Sequence, residues 1–177
     1  MTKPTAPEKP TALTDAAALA DPAAPAAPAA PAAPAAPAAP AAPGGHVRGV
    51  GVDAVDVERF RQVLRRRPGL AGRIFTEGER AYAERSADPS QRLAVRFAAK
   101  EAALKALGVG IGAVSFRDME VVRGQSGEPG LILAAPAAAL ASARGIGRWH
   151  ISLTHTDDVA LASVVAEGPC PCDAVRR

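Results

Sequence analysis

Aromatic side chains make up only 3% of this 177-residue sequence, which contains just two cysteines. Proteins that bind single-stranded nucleic acid without sequence preference stack the bases on aromatic side chains, so this scarcity argues against such a function. No apolar run approaches the length of a membrane span. The first residues also lack the charged start and apolar core of a secretion signal. We therefore expect a protein that binds neither nucleic acid nor membrane.

The two cysteines lie together near the C-terminus, as Cys170 and Cys172 of a Cys-Pro-Cys sequence. Two thiols so close together make a poor structural disulfide and an incomplete metal site. Such cysteine usage is typical of a reducing compartment, and we expect a cytoplasmic protein. Residues 169–177 are predicted to be a frayed tail.

Proline and alanine dominate the N-terminal region, where Pro-Ala-Ala triplets run from Pro22 to Pro43. Such a tract favours polyproline II and exposes almost nothing worth burying. We predict a disordered extension over residues 1–45, followed by one small folded domain over residues 46–168. The purpose of the extension does not follow from its composition.

One long helix is predicted from Ser90 to Leu107, because Ala, Leu, Lys and Glu fill this stretch and no Gly interrupts it. Gly108 follows at the position of a left-handed cap. Alanines form one side of the helix, and an apolar stripe forms another. The charged residues that border this stripe are Arg96, Lys100, Glu101 and Lys105. They indicate either a surface ion pair with snorkelling stems or a functional site.

The stretch from Val47 to Asp56 is predicted to be the first strand, with apolar residues or glycines on both faces. We therefore expect both faces to be buried. Asp53 points the same way as Gly49 and Gly51. A carboxylate in that position needs a cation or several N–H donors.

Arginines are concentrated in and just after the helix that is predicted to follow this strand. They are Arg59, Arg61, Arg65, Arg66, Arg67 and Arg73. Such a cluster indicates either a solvated helix face or a docking surface for an acidic partner. Further along, Thr76 and Glu79 have the spacing of a capping box, and capping alone would explain both residues.

Two hairpins are predicted in the C-terminal half, one over residues 116–133 and one over residues 149–166. The second turns through Thr154, His155 and Thr156. A histidine in such a turn is either solvated or functional. The alternating glycines after the long helix indicate either a loose turn or a close approach of backbone to a ligand.

Asp53, Glu101 and the neighbouring cations suit a hard divalent ion that holds phosphate oxygens. Mg²⁺ keeps several water ligands and takes only one or two protein carboxylates. We therefore predict that Asp53 and Glu101 are the metal ligands. No His/Cys cluster is needed for such a site.

A family resemblance rests on four segments: GVDAVDVERF, FTEGE, RFAAKEAALKALGVGIG and ISLTHTDD. In this order they resemble the holo-acyl-carrier-protein synthases, the small class of 4′-phosphopantetheinyl transferases, over residues 48–167. The resemblance implies an α+β fold with a small antiparallel sheet packed on a long central helix. It also implies Mg²⁺-dependent transfer of the 4′-phosphopantetheine arm of coenzyme A to a serine of an apo acyl carrier protein. Adenosine 3′,5′-bisphosphate is released, and the active sites lie between the subunits of a homotrimer.

The resemblance also assigns roles to individual residues. The two metal carboxylates of the family fall on Asp53 and Glu101, and a phosphate contact falls on Lys100. The helix that meets the carrier protein falls on Val57–Arg67, with basic positions at Arg59 and Arg73. The sequence departs from the pattern at Thr156, where some members have Asp.

The predicted coenzyme A site combines the long helix with the second hairpin turn. Catalytic roles are predicted for Glu101, His155 and Lys100, while the general base stays open between Glu101, Glu79 and a metal-bound water. The residues predicted to bind coenzyme A are Arg96, Lys100, Lys105, Gly108, Thr154, His155 and Thr156. A non-catalytic module that binds a nucleotide or a partner protein is the alternative. Whether the carrier protein serves fatty-acid or polyketide synthesis stays open as well.

Overall fold

The computed structural model describes residues 45–170, which contain eleven elements of secondary structure. In chain order they are β1 (His46–Asp56), α1 (Val57–Arg66), α2 (Leu70–Ile74), α3 (Glu77–Ala83), α4 (Pro89–Leu107), a 3₁₀ turn (Phe116–Asp118), β2 (Met119–Arg123), β3 (Pro129–Leu133), α5 (Ala135–Ala143), β4 (Arg148–His155) and β5 (Val159–Gly168). The predicted N-terminal extension, apart from Gly45, lies outside the described residues. Within residues 45–170, no helix combines the length and the apolar character needed to cross a bilayer.

Two antiparallel sheets surround the long helix α4. The larger has the order β1–β5–β4, and the smaller is the hairpin of β2 and β3. Strands β1 and β5 lie against α4, which packs its buried alanines on the sheet. The predicted α+β fold, with a small antiparallel sheet on a long central helix, is confirmed.

Helix α4 begins and ends as the sequence predicted. The Asp88 carboxylate accepts a hydrogen bond from the Ser90 amide at 2.9 Å, and Pro89 occupies the first turn. Proline is favoured there because the first amides of a helix lack a partner within the helix. Gly108 ends the helix in the left-handed conformation, with a φ of 71°. The predicted cap is therefore confirmed.

Strand β1 and helix α4 are in direct backbone contact at two glycines. A Cβ atom on Gly49 would lie 1.9 Å from the carbonyl oxygen of Ala106, and one on Gly51 would lie 1.9 Å from that of Ala102. No side chain fits into such a gap, so these positions require glycine. The close approach fixes β1, and therefore Asp53, against α4.

The prediction that both faces of β1 are buried is wrong. The face with the glycines packs on α4, whereas Val50 and Val52 on the opposite face are 60% and 50% exposed. In register with them, Val165 and Ser163 on β5 continue this outer face. Strand β1 looked buried because the sequence is apolar on both faces, but the described chain covers only the face toward α4.

The four phenylalanines form one connected row through the helical side of the domain. Phe60 contacts Phe75 edge-on with a centroid distance of 6.3 Å and stacks on Phe97 at 5.5 Å. Phe97 in turn lies 5.5 Å from Phe116. Aromatic contacts of this kind stabilise a core by about 0.5–1.5 kcal/mol each beyond the burial of their area. The row ties α1, α2 and the 3₁₀ turn to α4.

The described part of the predicted frayed tail packs on the domain. The Arg48 guanidinium donates to the carbonyl oxygen of Pro169, and Cys170 is buried and disulfide-bonded. The prediction about the Cys-Pro-Cys pair stays a prediction, because Cys172 lies outside the described residues. The contact at Pro169 holds this segment in place, so the sulfur does not sit in a fraying end. Residues 171–177 lie outside the described part of the chain.

Candidate active site

Asp53 and Lys105 meet where β1 crosses α4. The Lys105 ammonium donates to the Asp53 carboxylate at 2.9 Å and to the Val52 carbonyl at 2.8 Å. Asp53 is 19% exposed and Lys105 is 51% exposed. The pair therefore sits at the rim of the domain, where a ligand from solvent can reach both groups.

Glu101 is one helical turn before Lys105 and lies close enough to Asp53 to be affected by its charge. Partial burial raises the pKa of Glu101, the negative charge of Asp53 raises it further, and Lys105 opposes both effects. A carboxylate that is desolvated and faces a second carboxylate is stabilised by a nearby cation. The pKa of Glu101 thus indicates a place where a cation is favoured between the two side chains.

The chemistry of this donor set fits Mg²⁺. The two carboxylates of Asp53 and Glu101 lie beside one lysine, Lys105. Residues 45–170 contain no cluster of three or more His, Cys, Asp or Glu side chains able to hold a metal. Zinc sites normally take three or four such ligands, whereas Mg²⁺ takes one or two carboxylates and fills its coordination with water or phosphate. Asp53 and Glu101 are therefore the residues that would hold the ion.

The sequence model of one family, described as the 4′-phosphopantetheinyl transferase superfamily, matches residues 49–163. The matched range begins at the first glycine of β1 and includes Asp53, all of α4 and the turn of the second hairpin. The chain belongs to this family. The predicted enzyme class, a phosphopantetheinyl transferase, is thereby confirmed.

Individual relatives agree with this membership. The chain is 48% identical over 125 residues to a holo-[acyl-carrier-protein] synthase of Clavibacter michiganensis subsp. michiganensis, covering 71% of this chain and 99% of the relative. It is similar to the crystal structure of the Neisseria meningitidis holo-[acyl-carrier-protein] synthase, with a TM-score of 0.64 and 36% identity over 68% of this chain and 98% of the other. A Bacillus anthracis holo-(acyl-carrier-protein) synthase in complex with CoA (3′,5′-ADP) gives a TM-score of 0.58 and 35% identity, covering 70% and 98% of the two chains.

Lys100 does not occupy the position predicted for it in this phosphopantetheinyl transferase. Its side chain is fully buried, and its ammonium donates to Glu79 at 2.6 Å and to the carbonyl oxygens of Ile74 and Phe116 at 2.9 Å each. All three N–H bonds are therefore used inside the protein. Burial lowers the pKa of Lys100, and the Glu79 carboxylate opposes this effect. The predicted phosphate contact of Lys100 is not compatible with this arrangement.

The oxygens of the Glu79 carboxylate are likewise all engaged in hydrogen bonds inside the protein. Its carboxylate closes the capping box with the Thr76 amide at 2.9 Å and accepts the Val121 amide at 3.0 Å, in addition to Lys100. The side chain is 1% exposed. A base needs access to the proton that it takes, so Glu79 is not a suitable general base. The sequence indicated the cap but not the bond to Lys100, because no local pattern connects residues 21 positions apart.

Arg96, another predicted ligand of coenzyme A, is buried against an aromatic ring. Its guanidinium lies 4.1 Å from the centroid of the Tyr82 ring and donates to the Arg92 carbonyl at 3.0 Å. Burial lowers the pKa of Arg96, although Tyr82 and Glu79 counteract this effect. The Arg96 Nε atom is buried without a hydrogen-bond partner. This donor is enclosed by the protein, so a ligand from solvent does not reach it in this arrangement.

The hairpin turn does not bring its three predicted residues together as one cradle. Thr154 is exposed on the outer face of β4, and His155 is partly buried on the opposite face. The Thr156 hydroxyl accepts the amides of Asp158 and Val159 at 3.3 and 3.1 Å, so it is used to close the turn. Strand β5 separates β4 from β1, which places His155 about 10 Å from β1 within one chain.

The amide of Gly108 is likewise used within the protein, because it donates to the carbonyl oxygens of Leu104 and Lys105. The structure therefore gives Gly108 the role of a helix cap. Of the residues predicted for the site, Asp53, Glu101 and Lys105 are brought together in one exposed place.

The arginine cluster is divided between structural and exposed side chains. Arg61 joins α1 to the start of α4 through ion pairs with Glu58 and Asp88, and Arg65 also pairs with Glu58. Arg59 and Arg73 are exposed. The two arginines that the resemblance assigned to the carrier protein are therefore accessible from solvent.

Proposed function

We propose that this chain transfers the 4′-phosphopantetheine arm of coenzyme A to a serine of an apo acyl carrier protein in an Mg²⁺-dependent reaction. Adenosine 3′,5′-bisphosphate is the other product. The observation that carries the proposal is the partly exposed group of Asp53, Glu101 and Lys105, which combines two carboxylates suited to Mg²⁺ with a cation suited to phosphate. A cytoplasmic location stays a prediction from the sequence.

The reaction joins the serine Oγ atom to phosphorus and breaks the bond between that phosphorus and the bridging oxygen of the pyrophosphate. Mg²⁺, when bound to Asp53 and Glu101, supplies positive charge for the pyrophosphate oxygens. Lys105 donates from the other side of the same site. The serine proton goes to the Glu101 carboxylate, because Glu79, the other candidate carboxylate, is buried and its oxygens are occupied by hydrogen bonds. The bisphosphate leaves with the bridging oxygen.

The homotrimer is part of this proposal. Val50 and Val52 belong to an apolar sheet face that the described chain leaves exposed, and exposed apolar patches are typical of protein interfaces. His155 lies two strands away from Asp53 in its own chain. A second copy packed on this face would bring the His155 of one chain close to the Asp53 of the other. We assign His155, which is partly exposed on β4, to a phosphate of coenzyme A bound at a neighbouring copy.

The direct test is incubation of the protein with coenzyme A, Mg²⁺ and an apo acyl carrier protein, followed by mass spectrometry of the carrier. A mass gain of one phosphopantetheine arm is expected. An unchanged carrier together with measurable binding of coenzyme A would favour the non-catalytic alternative.

Docking of the carrier protein is expected to depend on Arg59 and Arg73, which we assign to its acidic surface. Each reversal to Glu should raise KM for the carrier about five- to tenfold, since an exposed charge pair contributes about 1 kcal/mol. KM for coenzyme A should change little. Steady-state kinetics at two salt concentrations measures both effects, because salt screens exposed charges.

Arg144→Glu, at the C-cap of α5, is the matched control for this prediction, since it makes the same charge change at another exposed site. A similar rise of both Michaelis constants in the Arg59 and Arg73 variants, or a similar effect of Arg144→Glu, would contradict a specific dock.

His155 is expected to contribute to binding of coenzyme A rather than to proton transfer. His155→Ala should raise the Kd for coenzyme A about tenfold, which is typical of losing one hydrogen bond to a charged group. Calorimetric titration measures this constant, and kcat at saturating coenzyme A should fall much less. His46→Ala at the exposed start of β1 is the control. Unchanged affinity with slow turnover would instead make His155 a base.

The dependence on Mg²⁺ should be steeper at acidic pH. Burial and Asp53 raise the pKa of Glu101, so this carboxyl group binds a proton at a higher pH than an ordinary glutamate does. Its anionic form, which holds the metal, is lost as the pH falls through that pKa. The Mg²⁺ concentration for half-maximal transfer, measured from pH 8 downward, should therefore rise. A constant value down to the pH of acid unfolding would contradict this assignment.

A further inference from the structure

The bonds of Lys100 and Glu79 join five parts of the domain at one buried point. Lys100 projects from α4 and binds the last residue of α2, the first residue of the 3₁₀ turn and Glu79 on α3. Glu79 adds the amide of Val121 on β2.

Helix α2 has few other anchors. It contains five residues, Gly72 lies inside it, and its N-cap Gly69 makes no side-chain capping bond. A helix this short does not persist on its own in water. Only Ile74 among its residues is buried, and the following Phe75 is fully buried with its ring centroid 5.3 Å from the Lys100 ammonium. Leu70 and Ala71 at the start of α2 are only partly buried against the same core, so the fully buried contacts of this helix lie at its C-terminal end.

Lys100 acts at this end as a cap. The last carbonyl groups of a helix have no partner within it, and the Lys100 ammonium supplies one to the Ile74 carbonyl at 2.9 Å. Arg73, the exposed arginine assigned above to the carrier protein, immediately precedes Ile74. Helix α4, by contrast, has 19 residues and is also fixed by the glycine contacts with β1.

We propose that Lys100 and Glu79 are positioning residues for recognition of the carrier protein, because they hold α2 and Arg73 in a fixed orientation on α4. Both side chains are fully buried, and the Lys100 ammonium uses its three N–H bonds on Glu79, Ile74 and Phe116. The inference rests on the proposed function, since it takes Arg73 as part of the docking surface. It gives Lys100 a role other than the phosphate contact that the resemblance implied.

The first measurement needs no transfer reaction. In Lys100→Met, which keeps most of the apolar stem and removes the charge, amide hydrogen exchange should become faster at residues 71–75 and stay unchanged in the middle of α4. Unchanged exchange at residues 71–75 would overturn the proposal. Val164→Ala, a truncation of a fully buried side chain on β5, is the control for general loss of stability.

The second measurement separates positioning from plain destabilisation. Lys100→Met should raise KM for the carrier about tenfold while the Kd for coenzyme A changes less than about twofold, and Val164→Ala should produce no such split. In a double-mutant cycle, Arg73→Ala should lose most of its effect in the Lys100→Met background, because a misplaced arginine has little left to contribute. Additive effects, or equal changes for both substrates, would overturn the proposal.

If Lys100→Met does not fold, the double variant Lys100→Met/Glu79→Gln takes its place under the same criteria. It removes both buried charges and leaves neither without a partner, and such replacements are often tolerated. If the wild-type protein does not transfer the arm, the proposed function is contradicted, whereas the exchange measurement still tests the position of α2. If transfer is normal but the effects of Arg73→Ala and Lys100→Met are additive, only the present inference is contradicted.

Discussion

Glu101→Gln is expected to reduce transfer about a thousandfold or more at saturating coenzyme A and carrier. Glutamine keeps the size of the side chain but removes one of the two carboxylates that hold Mg²⁺. The loss of several kcal/mol of charge stabilisation in the transition state corresponds to a factor of this order. Asp53→Asn is expected to have a similar effect, because the two carboxylates share the site.

The fold should tolerate this change. Glu101 is partly buried and repelled by Asp53, so its pKa is raised, and a neutral side chain removes an unfavourable charge. Thermal unfolding without metal should therefore show Glu101→Gln to be at least as stable as the wild type. Glu84→Gln, at an exposed position at the end of α3, is the control and should transfer normally. Near-normal turnover of Glu101→Gln at limiting Mg²⁺ would exclude Glu101 as a metal ligand.

Gly51→Ala is expected to destabilise the domain severely. The added Cβ atom would lie 1.9 Å from the Ala102 carbonyl oxygen and 2.9 Å from the Ala106 amide nitrogen. Both are backbone atoms of α4, so β1 and the helix have to move apart by more than an ångström. Overpacking of this kind costs about 3 kcal/mol or more, which lowers the Tm of a small domain by about 10 °C or more.

The same displacement should also reduce transfer in whatever fraction of Gly51→Ala remains folded. Asp53 is two residues further along β1, and a shift of about 1 Å in a reacting group can cost a factor of about a hundred. Gly147→Ala is the matched control, because a Cβ atom there meets nothing within 4 Å. Calorimetry and the transfer assay on the two variants check both parts. A Gly51→Ala protein with wild-type Tm would show that β1 and α4 can separate without cost.

Local sequence signals predicted the parts of the site that local structure determines. The helix formers of α4 and the glycine at its end fixed its limits. The alternation of β1 placed Asp53 on the same face as Gly49 and Gly51, which pack on α4. The pairing of Asp53 with Glu101 was predicted from the chemistry of a divalent-ion site and from the family resemblance, and the glycine contacts supply its structural reason. The family resemblance was needed to identify the reaction.

The parts of the site that the sequence did not predict depend on contacts between distant parts of the chain. Lys100 looked like a surface lysine next to Glu101, but the carbonyl groups that bury it come from residues 26 and 16 positions away. The hydroxyl of Thr156 looked available, but the amides of its own turn occupy it. The apolar outer face of β1 suggested burial, although nothing in a sequence tells whether the same chain or a second copy covers a face.

The strand order has a consequence for how this chain is made in the cell. The central strand of the larger sheet is β5, the last element, and it pairs β1 on one side and β4 on the other, with His46 opposite Gly168. Pairing of strands so far apart in sequence is slow and exposes the chain to aggregation. While the ribosome is still adding residues before Val159, β1 has no partner in this sheet. Any pause or truncation late in translation therefore leaves an unpaired strand next to the alanine face of α4.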